Sequence, residues 1–207
     1  TGLPIYIHLP LALLAGFIGG AIWGFIPGVL KAKTGAHEVI VTIMLNYIAL
    51  RLVDFFLKTE LFQREGRNDP VSKTVEASAQ LTQMLGWMNP ALRVHLGLIV
   101  ALIAAGVIHW LLFRTTTGFE FRAVGANPNA ARYAGMSITK VYVLVMMIAG
   151  GLAGLAGSGQ ILGVLDRATP GFSSNLGFDG IAVALLGRSN PWGVVAAAVL
   201  FGGLRAG

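Results

Sequence analysis

The sequence predicts an all-α fold, a bundle of helices that crosses a membrane several times. Hydrophobic residues make up 55% of the 207 residues and charged residues only 12%, about half the charged share of a typical soluble domain. Most of the charged residues are concentrated in four short windows, at 31–38, 51–76, 114–122 and 132–140. The stretches between these windows are long and apolar, which is typical of a polytopic membrane protein.

The apolar stretches define the predicted membrane spans. A helix rises about 1.5 Å per residue, so about 20 residues are needed to cross a hydrocarbon core of about 30 Å. Four stretches have this length, at residues 9–30, 39–57, 94–113 and 141–165. We therefore predict a single transmembrane domain over residues 1–207. Because the sequence begins without Met and ends inside an apolar run, we expect a fragment with further spans beyond its ends.

Two shorter apolar segments follow, a broken segment at 178–187 and the start of a further span at 192–204. Asp179 is predicted to cap the first of them, and Gly187 and Pro191 interrupt the chain after it. Irregular backbone at membrane depth is tolerated only beside protein or a water-filled cavity. The segment and Asp179 are therefore candidates for a transport pathway, and a capped interfacial helix outside the pathway is the alternative.

The distribution of Lys and Arg predicts the orientation of the chain. The connectors at 31–38 and 114–140 are rich in basic residues, and two predicted spans separate them. The positive-inside rule places both connectors in the cytoplasm. The polar stretch at 58–93 and the connector at 166–177 then lie on the outer side. The net charge of +6 is explained by this asymmetry and does not require a nucleic-acid partner.

Polar residues within the predicted spans each need an account, because they are costly in lipid. Asn46 lies near the middle of its span and either bonds to another helix or lines a wet path. Arg51 and Asp54 are three residues apart, and we expect them to pair with each other. Glu38 begins a helix, where the helix dipole favours a carboxylate.

The fourth span is rich in small residues. Gly150, Gly151 and Gly154 supply the small-xxx-small spacing that lets two helix backbones approach closely. We predict that these three glycines pack against another span. Close packing of this kind also permits the sliding that alternating access would use.

The connector after the third span contains the signals of a short, bounded helix. Asn127 is a good N-cap, and Pro128 suits the first helical position because its missing N–H would be unpaired there. Gly135 provides a left-handed stop. A helix of about two turns is not stable alone, so it must pack on the protein's own spans, on the membrane surface or on a partner.

Three stretches, at 35–47, 122–135 and 177–187, carry a resemblance to a known family. They resemble the ATP-binding-cassette (ABC) importer permeases of the branched-chain amino acid, ribose and nucleoside group, and they occur in the order expected for that group. The first stretch is most similar to the nucleoside and simple-sugar branch. The resemblance implies that the short helix docks on a cytoplasmic ATPase subunit. The residues implied in this coupling are Arg122, Gly125, Asn127, Pro128, Ala130, Ala131, Arg132 and Gly135. The resemblance also implies that Glu38 lies close to the gate.

The resemblance also implies the partners and the location. It implies two ATP-binding subunits, a second permease subunit (identical or different) and an external substrate-binding protein, in a bacterial-type inner membrane. ATP and Mg²⁺ would bind to the partner, so no cofactor is expected on this chain. A nucleoside or a simple sugar is favoured as substrate over a branched-chain amino acid because of the match at 35–47.

Other function classes fit the sequence less well. The chain has no Cys, no P-loop and no Ser/His/Asp grouping, so we expect no catalytic residues. Its four histidines, at 8, 37, 95 and 109, lack metal-ligand spacing. An autonomous secondary transporter or channel is the main alternative, because broken helices and polar groups at membrane depth suit it equally. A passive scaffold would explain neither the bounded helix nor Asn46.

Overall fold

The structure, a computed structural model, describes residues 4–59, 62–64, 69–82, 95–172 and 176–206. They form two compact units, one of Thr1–Gly97 with Ile138–Phe172 and one of Leu98–Ser137 with Ser173–Gly207. Both units are built from helices, and the predicted all-α class is confirmed. The prediction of one transmembrane domain over the whole chain stays a prediction.

The part of the first unit that the structure describes contains three long helices. They are α1 (Ile5–Thr34), α2 (Glu38–Leu57) and α6 (Ile138–Gln160), the last of which continues as a π-helical turn at Ile161–Leu165. Gly35 ends α1 with φ of 66° and donates its N–H to the carbonyl of Lys31. This left-handed position suits glycine, and it turns the chain within three residues into α2.

Helices α1 and α6 pack against each other through glycine. Gly16, Gly20, Gly24 and Gly28, spaced four residues apart, lie on the face of α1 that meets α6. A methyl group on Gly20 would collide with the carbonyl oxygen of Gly150, and one on Gly154 with that of Gly16. The later residues of α1 meet the earlier residues of α6, so the two helices are antiparallel. The sequence analysis predicted the α6 glycines at this contact but not their partners on α1.

The predicted packing of Gly151 has a different partner. A methyl group there would lie within 3.0 Å of the ring of Phe17, so this glycine makes room for a side chain and not for a backbone. The ring of Phe17 therefore fills the space beside the contact between the two helices.

The segment at residues 72–82 lies against the far end of α6. The N–H of Val75 donates to the carbonyl of Asp166 (2.9 Å), and the N–H of Leu81 donates to the carbonyl of Leu162 (2.8 Å). Leu162 is part of the π-helical turn, where the usual ladder of helix bonds is interrupted. On α1, His8 bonds through Nδ1 to the hydroxyl of Ser78 at 2.8 Å. Together these bonds tie this segment to both helices.

The described residues of the second unit form five helices. They are α3 (Gly97–Arg114), α4 (Thr116–Ala126), α5 (Pro128–Tyr133), α7 (Leu176–Leu186) and α8 (Pro191–Ala206). A tight turn joins α7 to α8, with Arg188 and Ser189 both left-handed (φ of 53° and 55°). Gly187 packs directly against Gly193, which lets the two helices form a close hairpin.

Four described helices are long and apolar enough to cross a membrane, at Ile5–Thr34, Glu38–Leu57, Gly97–Arg114 and Ile138–Leu165. They contain the predicted apolar stretches at 9–30, 39–57 and 141–165, whereas the third helix begins at Gly97, three residues later than the predicted start at Val94. Val94 itself lies outside the described residues, as does most of the outer stretch at 58–93. The two shorter segments are also helical, in α7 and α8.

Two local predictions were wrong. Asp179 does not occupy the N-cap position, because α7 begins at Leu176 and Asp179 therefore lies in its first turn. There the helix dipole still favours a carboxylate. Arg51 and Asp54 do not form an ion pair within the described part of the chain. An acidic residue that follows its basic partner on a helix has the less favourable order for pairing.

The α1–α6 contact gives a direct test of the fold. Gly20→Ala should destabilise the protein by about 1–3 kcal/mol, because the added methyl group meets backbone and the helices must separate. Gly19→Ala is the matched control, since nothing lies within 4 Å of a methyl group there. Thermal unfolding of the full-length protein in mild detergent measures both. Equal melting temperatures for the two variants would contradict the packing.

Candidate functional site

The connector between α3 and α6 begins with a sharp corner. Thr115 donates its hydroxyl to the carbonyl of Leu111 (2.6 Å) and accepts the N–H of Gly118 (3.0 Å). Gly118 is buried against the backbone of Leu111 and Leu112, where a side chain would collide. These contacts end α3 and start α4 in a fixed direction. The sequence analysis missed α4, although Thr115 is a good N-cap three residues before Gly118.

The short helix α5 has the ends that the sequence predicts. The side-chain oxygen of Asn127 accepts the N–H groups of Asn129 (3.0 Å) and Ala130 (3.1 Å), and Pro128 is the first helical residue. Beyond the helix, Gly135 has φ of 83°. These features confirm the predicted cap, the proline position and the left-handed stop.

The last turn of α5 is closed by two further bonds. The N–H of Gly135 bonds to the carbonyl of Arg132 (3.0 Å) and that of Met136 to the carbonyl of Ala131 (3.0 Å). This is the Schellman arrangement, which satisfies the carbonyls at the end of a helix. Both ends of α5 are therefore fixed by hydrogen bonds within the second unit.

Helix α5 presents an exposed surface. Tyr133 is 95% exposed, whereas Ala131 is only 4% exposed. Ala130 and Arg132 are also exposed, and Arg132 makes no ion pair with any described residue. A short helix that is held at both ends and offers a cation and an aromatic ring has the form of a docking element.

The other predicted residues of the connector lie on α4. The guanidinium carbon of Arg122 lies 5.2 Å from the centroid of the Phe113 ring, which places the cation over the aromatic face. Gly125 has open space around it, and a methyl group added there would meet nothing within 4 Å. Its small size is therefore not required by contacts within the described residues.

Glu38, predicted near a gate, takes part in an ion pair that the sequence analysis missed. Its Oε2 lies 2.6 Å from Nζ of Lys31, and Nζ also lies 6.0 Å from the centroid of the Tyr142 ring. The pair joins the last turn of α1 to the first turn of α2, beside the start of α6. The signal that could have found it is the short spacing of the two charges across Gly35.

The two other candidate pathway residues are placed separately. Asn46 lies eight residues after Glu38 on α2, about 12 Å along the helix. Its side chain is exposed and has no hydrogen bond to any described residue. Asp179 lies in the second unit, on α7. In the described ranges, no group of three His, Cys, Asp or Glu side chains could hold a metal ion.

These observations define the class of the protein. Four long apolar helices, close glycine packing and polar connectors with capped helices make it a polytopic helical membrane protein. Residues 2–207 match the family model described as the permease component of the branched-chain amino acid transport system, and the chain belongs to this family.

Three individual permeases are similar to this chain over nearly its whole length. The chain is 47% identical over 205 residues to the guanosine ABC transporter permease protein NupP of Bacillus subtilis, which covers 99% of this chain and 58% of that protein. It is 38% identical to the nucleoside ABC transporter permease protein NupB of Lactococcus lactis, over 99% of this chain and 57% of that protein. It is 35% identical to the glucose ABC transporter permease protein TsgB13 of Haloferax volcanii, over 100% of this chain and 56% of that protein.

The chain thus spans slightly more than half the length of these curated relatives. No solved structure gives a significant match. The resemblance to the permease group, closest to the nucleoside and simple-sugar branch, is confirmed.

The ion pair between α1 and α2 predicts a charge-swap result. Lys31→Glu should lower the melting temperature of the full-length protein, because it sets two carboxylates against each other at the turn. The double variant Lys31→Glu with Glu38→Lys should recover most of that loss. Lys33→Glu is the matched control, since Lys33 is exposed and has no ion pair among the described residues. If the double variant melted at the same temperature as Lys31→Glu, the ion pair would not be what stabilises the turn.

The cap of α5 gives a second prediction. Asn127→Ala removes the acceptor for two backbone N–H groups and should cost about 1 kcal/mol of local helix stability. Hydrogen exchange at residues 129–134 should become faster by about fivefold in the full-length protein. Asn127→Asp keeps the acceptor and should leave exchange near the wild-type rate. Unchanged exchange in Asn127→Ala would mean that other contacts hold the helix.

Proposed function

We propose that this chain forms part of the membrane-spanning permease subunit of an ABC importer, which moves a nucleoside or a simple sugar across a bacterial-type inner membrane. The observation that carries the proposal is α5, an exposed helix fixed at both ends by Asn127 and Gly135. Membership of a transport-permease family supports it. A secondary transporter has no need for such a helix.

In this proposal α5 is the element that receives the motion of an ATP-binding subunit. Arg132 and Tyr133 contact that subunit, and Asn129 and Ala130 line the same exposed surface. Ala131 packs inward and carries the displacement to α4. Arg122 and the corner at Thr115 then pass it to α3, because their contacts make α3 and α4 move together. Gly125 leaves room for the partner beside α4.

ATP with Mg²⁺ binds to the partner chain in this account, and this chain binds no cofactor. Two permease subunits enclose the path, and an external substrate-binding protein delivers the substrate on the other face. The basic connectors at 31–38 and 114–140 face the cytoplasm, as the positive-inside rule requires. The relatives named as guanosine, nucleoside and glucose permeases support the choice of substrate class.

The transport path requires polar groups that bind neutral, hydroxyl-rich substrates. Asn46 is suited to this, because its exposed amide has no partner among the described residues and offers both a donor and an acceptor. Asp179 lies on the short α7 and lines the path in this proposal. Glu38, paired with Lys31, stands at the end of α2 that faces the cytoplasm and acts there as part of a gate. The α1–α6 glycine contact provides the surface on which the spans slide.

The proposal predicts the effect of reversing one charge on α5. Arg132→Glu should reduce co-purification of the ATP-binding subunit with the full-length permease by at least about tenfold, since like charge at a docking surface costs several kcal/mol. Uptake of labelled guanosine by cells should fall in parallel. Membrane insertion and melting temperature should stay unchanged, because Arg132 has no ion pair among the described residues.

Lys33→Glu makes the same charge change at an exposed position outside α5 and serves as the control. Normal co-purification and uptake in Arg132→Glu would contradict the coupling role of α5. Uptake that depends on an ion gradient and needs no ATP-binding subunit would assign the protein to the secondary transporters instead.

A further inference from the structure

One cation of the second unit lies in surroundings that coupling alone does not explain. The guanidinium of Arg122 lies over the ring of Phe113, at 5.2 Å from its centroid. Arg122 is exposed and forms no ion pair with any described residue. Glu120 is the one acidic residue in the sequence from 114 to 140, and it is not paired with this arginine. The guanidinium is thus held in place without an anionic partner among the described residues.

The position over the Phe113 ring leaves the guanidinium able to bind an anion. A guanidinium carries its N–H donors in the plane of the group, and no described acidic residue pairs with those of Arg122. Those donors match the geometry of a phosphate, which they bind with two parallel hydrogen bonds. Arg114, also exposed and without a described ion pair, follows Phe113 directly and adds a second positive charge.

The surface around Arg122 is aromatic and apolar. The ring of His109 lies 4.8 Å from that of Phe113 and 6.3 Å from that of Trp192. Phe113 and Trp192 are 42% and 50% exposed, and Trp110 on the same helix as Phe113 is 60% exposed. Exposed tryptophans beside arginines at the end of an apolar helix are typical of the membrane interface, where the headgroups meet the acyl chains.

We propose that Arg122 and Arg114, with Phe113 and Trp192, form a binding site for the phosphate headgroup of an anionic phospholipid. The phosphate bonds to the N–H donors of Arg122, and the acyl chains cover Trp110, Phe113 and Trp192. A protein partner would need its own acidic residues at this depth, beside rings that suit lipid. Free phosphate would leave the exposed rings uncovered. The exposed rings beside the arginines therefore favour a lipid over a protein partner and over free phosphate.

The site is separate from α5, and its occupation does not depend on the proposed transport activity. It lies at the end of α3 that the charge distribution assigns to the cytoplasm. Anionic lipids attract basic residues there, with a gain of about fivefold in binding for each charge. A bound lipid would hold the corner between α3 and α4 at a fixed depth.

The test uses the full-length protein in nanodiscs of phosphatidylcholine with added phosphatidylglycerol that carries a photoreactive acyl chain. Labelling is mapped by mass spectrometry to the peptides that contain residues 98–122 and 188–200. Phosphatidylcholine with the same photoreactive chain carries no net charge, so it measures the labelling that does not depend on headgroup charge. Arg122→Gln removes the donor set, and Lys33→Gln removes one positive charge elsewhere as the matched control.

The proposal expects phosphatidylglycerol to label these peptides more than phosphatidylcholine, and expects Arg122→Gln to reduce the difference by about fivefold. Lys33→Gln should leave it unchanged. Equal labelling by both lipids in the wild-type protein would overturn the proposal, and so would an unchanged preference in folded Arg122→Gln.

Two measurements on the wild-type protein keep the proposal testable if Arg122→Gln does not fold. Inorganic phosphate at millimolar concentration should not reduce the labelling of these peptides by phosphatidylglycerol. A reduction would identify a site for free phosphate instead. Labelling should also persist when the ATP-binding subunit is bound. Its loss in the complex would show that Arg122 faces a protein partner, which would overturn the assignment to lipid.

Discussion

The close contact between α1 and α6 is the constraint on which the first unit depends. In lipid there is little hydrophobic gain from bringing two helices together, so association relies on packing and on backbone proximity. Four glycines on α1, spaced four residues apart, let it meet the backbone of α6 at Gly150 and Gly154. The pair then fixes what lies at its ends. At one end Lys31 meets Glu38 and the Tyr142 ring, and at the other the π-helical turn receives the segment at 72–82.

The second unit is organised by hydrogen bonds that end helices. Thr115 closes α3 and opens α4, Asn127 ends α4 and opens α5, and Gly135 closes α5. Because each junction satisfies backbone groups that a helix end leaves unpaired, the connector is a chain of short rigid helices. A rigid connector can transmit a displacement between a partner and the spans, and this property links its local chemistry to the proposed function.

What the sequence predicted, and what it did not, follows from the range of the interactions. Asn127, Pro128 and Gly135 act on their own neighbours, so their roles could be predicted from the sequence. The spans could be predicted because lipid imposes length and apolarity.

The features that were missed depend on distant parts of the chain. The partners of Gly150 and Gly154 lie more than a hundred residues away on α1, and the glycine stripe there was missed. Helix α4 was missed because Gly118 weakens its helical pattern, although that glycine is what fits against α3. The expected pair of Arg51 with Asp54 failed because spacing permits a contact without requiring it.

The most direct test of the coupling role asks what α5 touches in the membrane. Because residues 1–207 hold no cysteine, Tyr133→Cys gives this stretch of the chain a single thiol, on an exposed part of α5. A thiol-to-amine cross-linker applied to inside-out vesicles with the full-length protein should join that thiol to an ATP-binding subunit. Tyr6→Cys, also highly exposed at the start of α1, should give no such product. The account would be contradicted if both variants behaved alike, or if the Tyr133→Cys thiol reacted with an impermeant maleimide added outside intact cells.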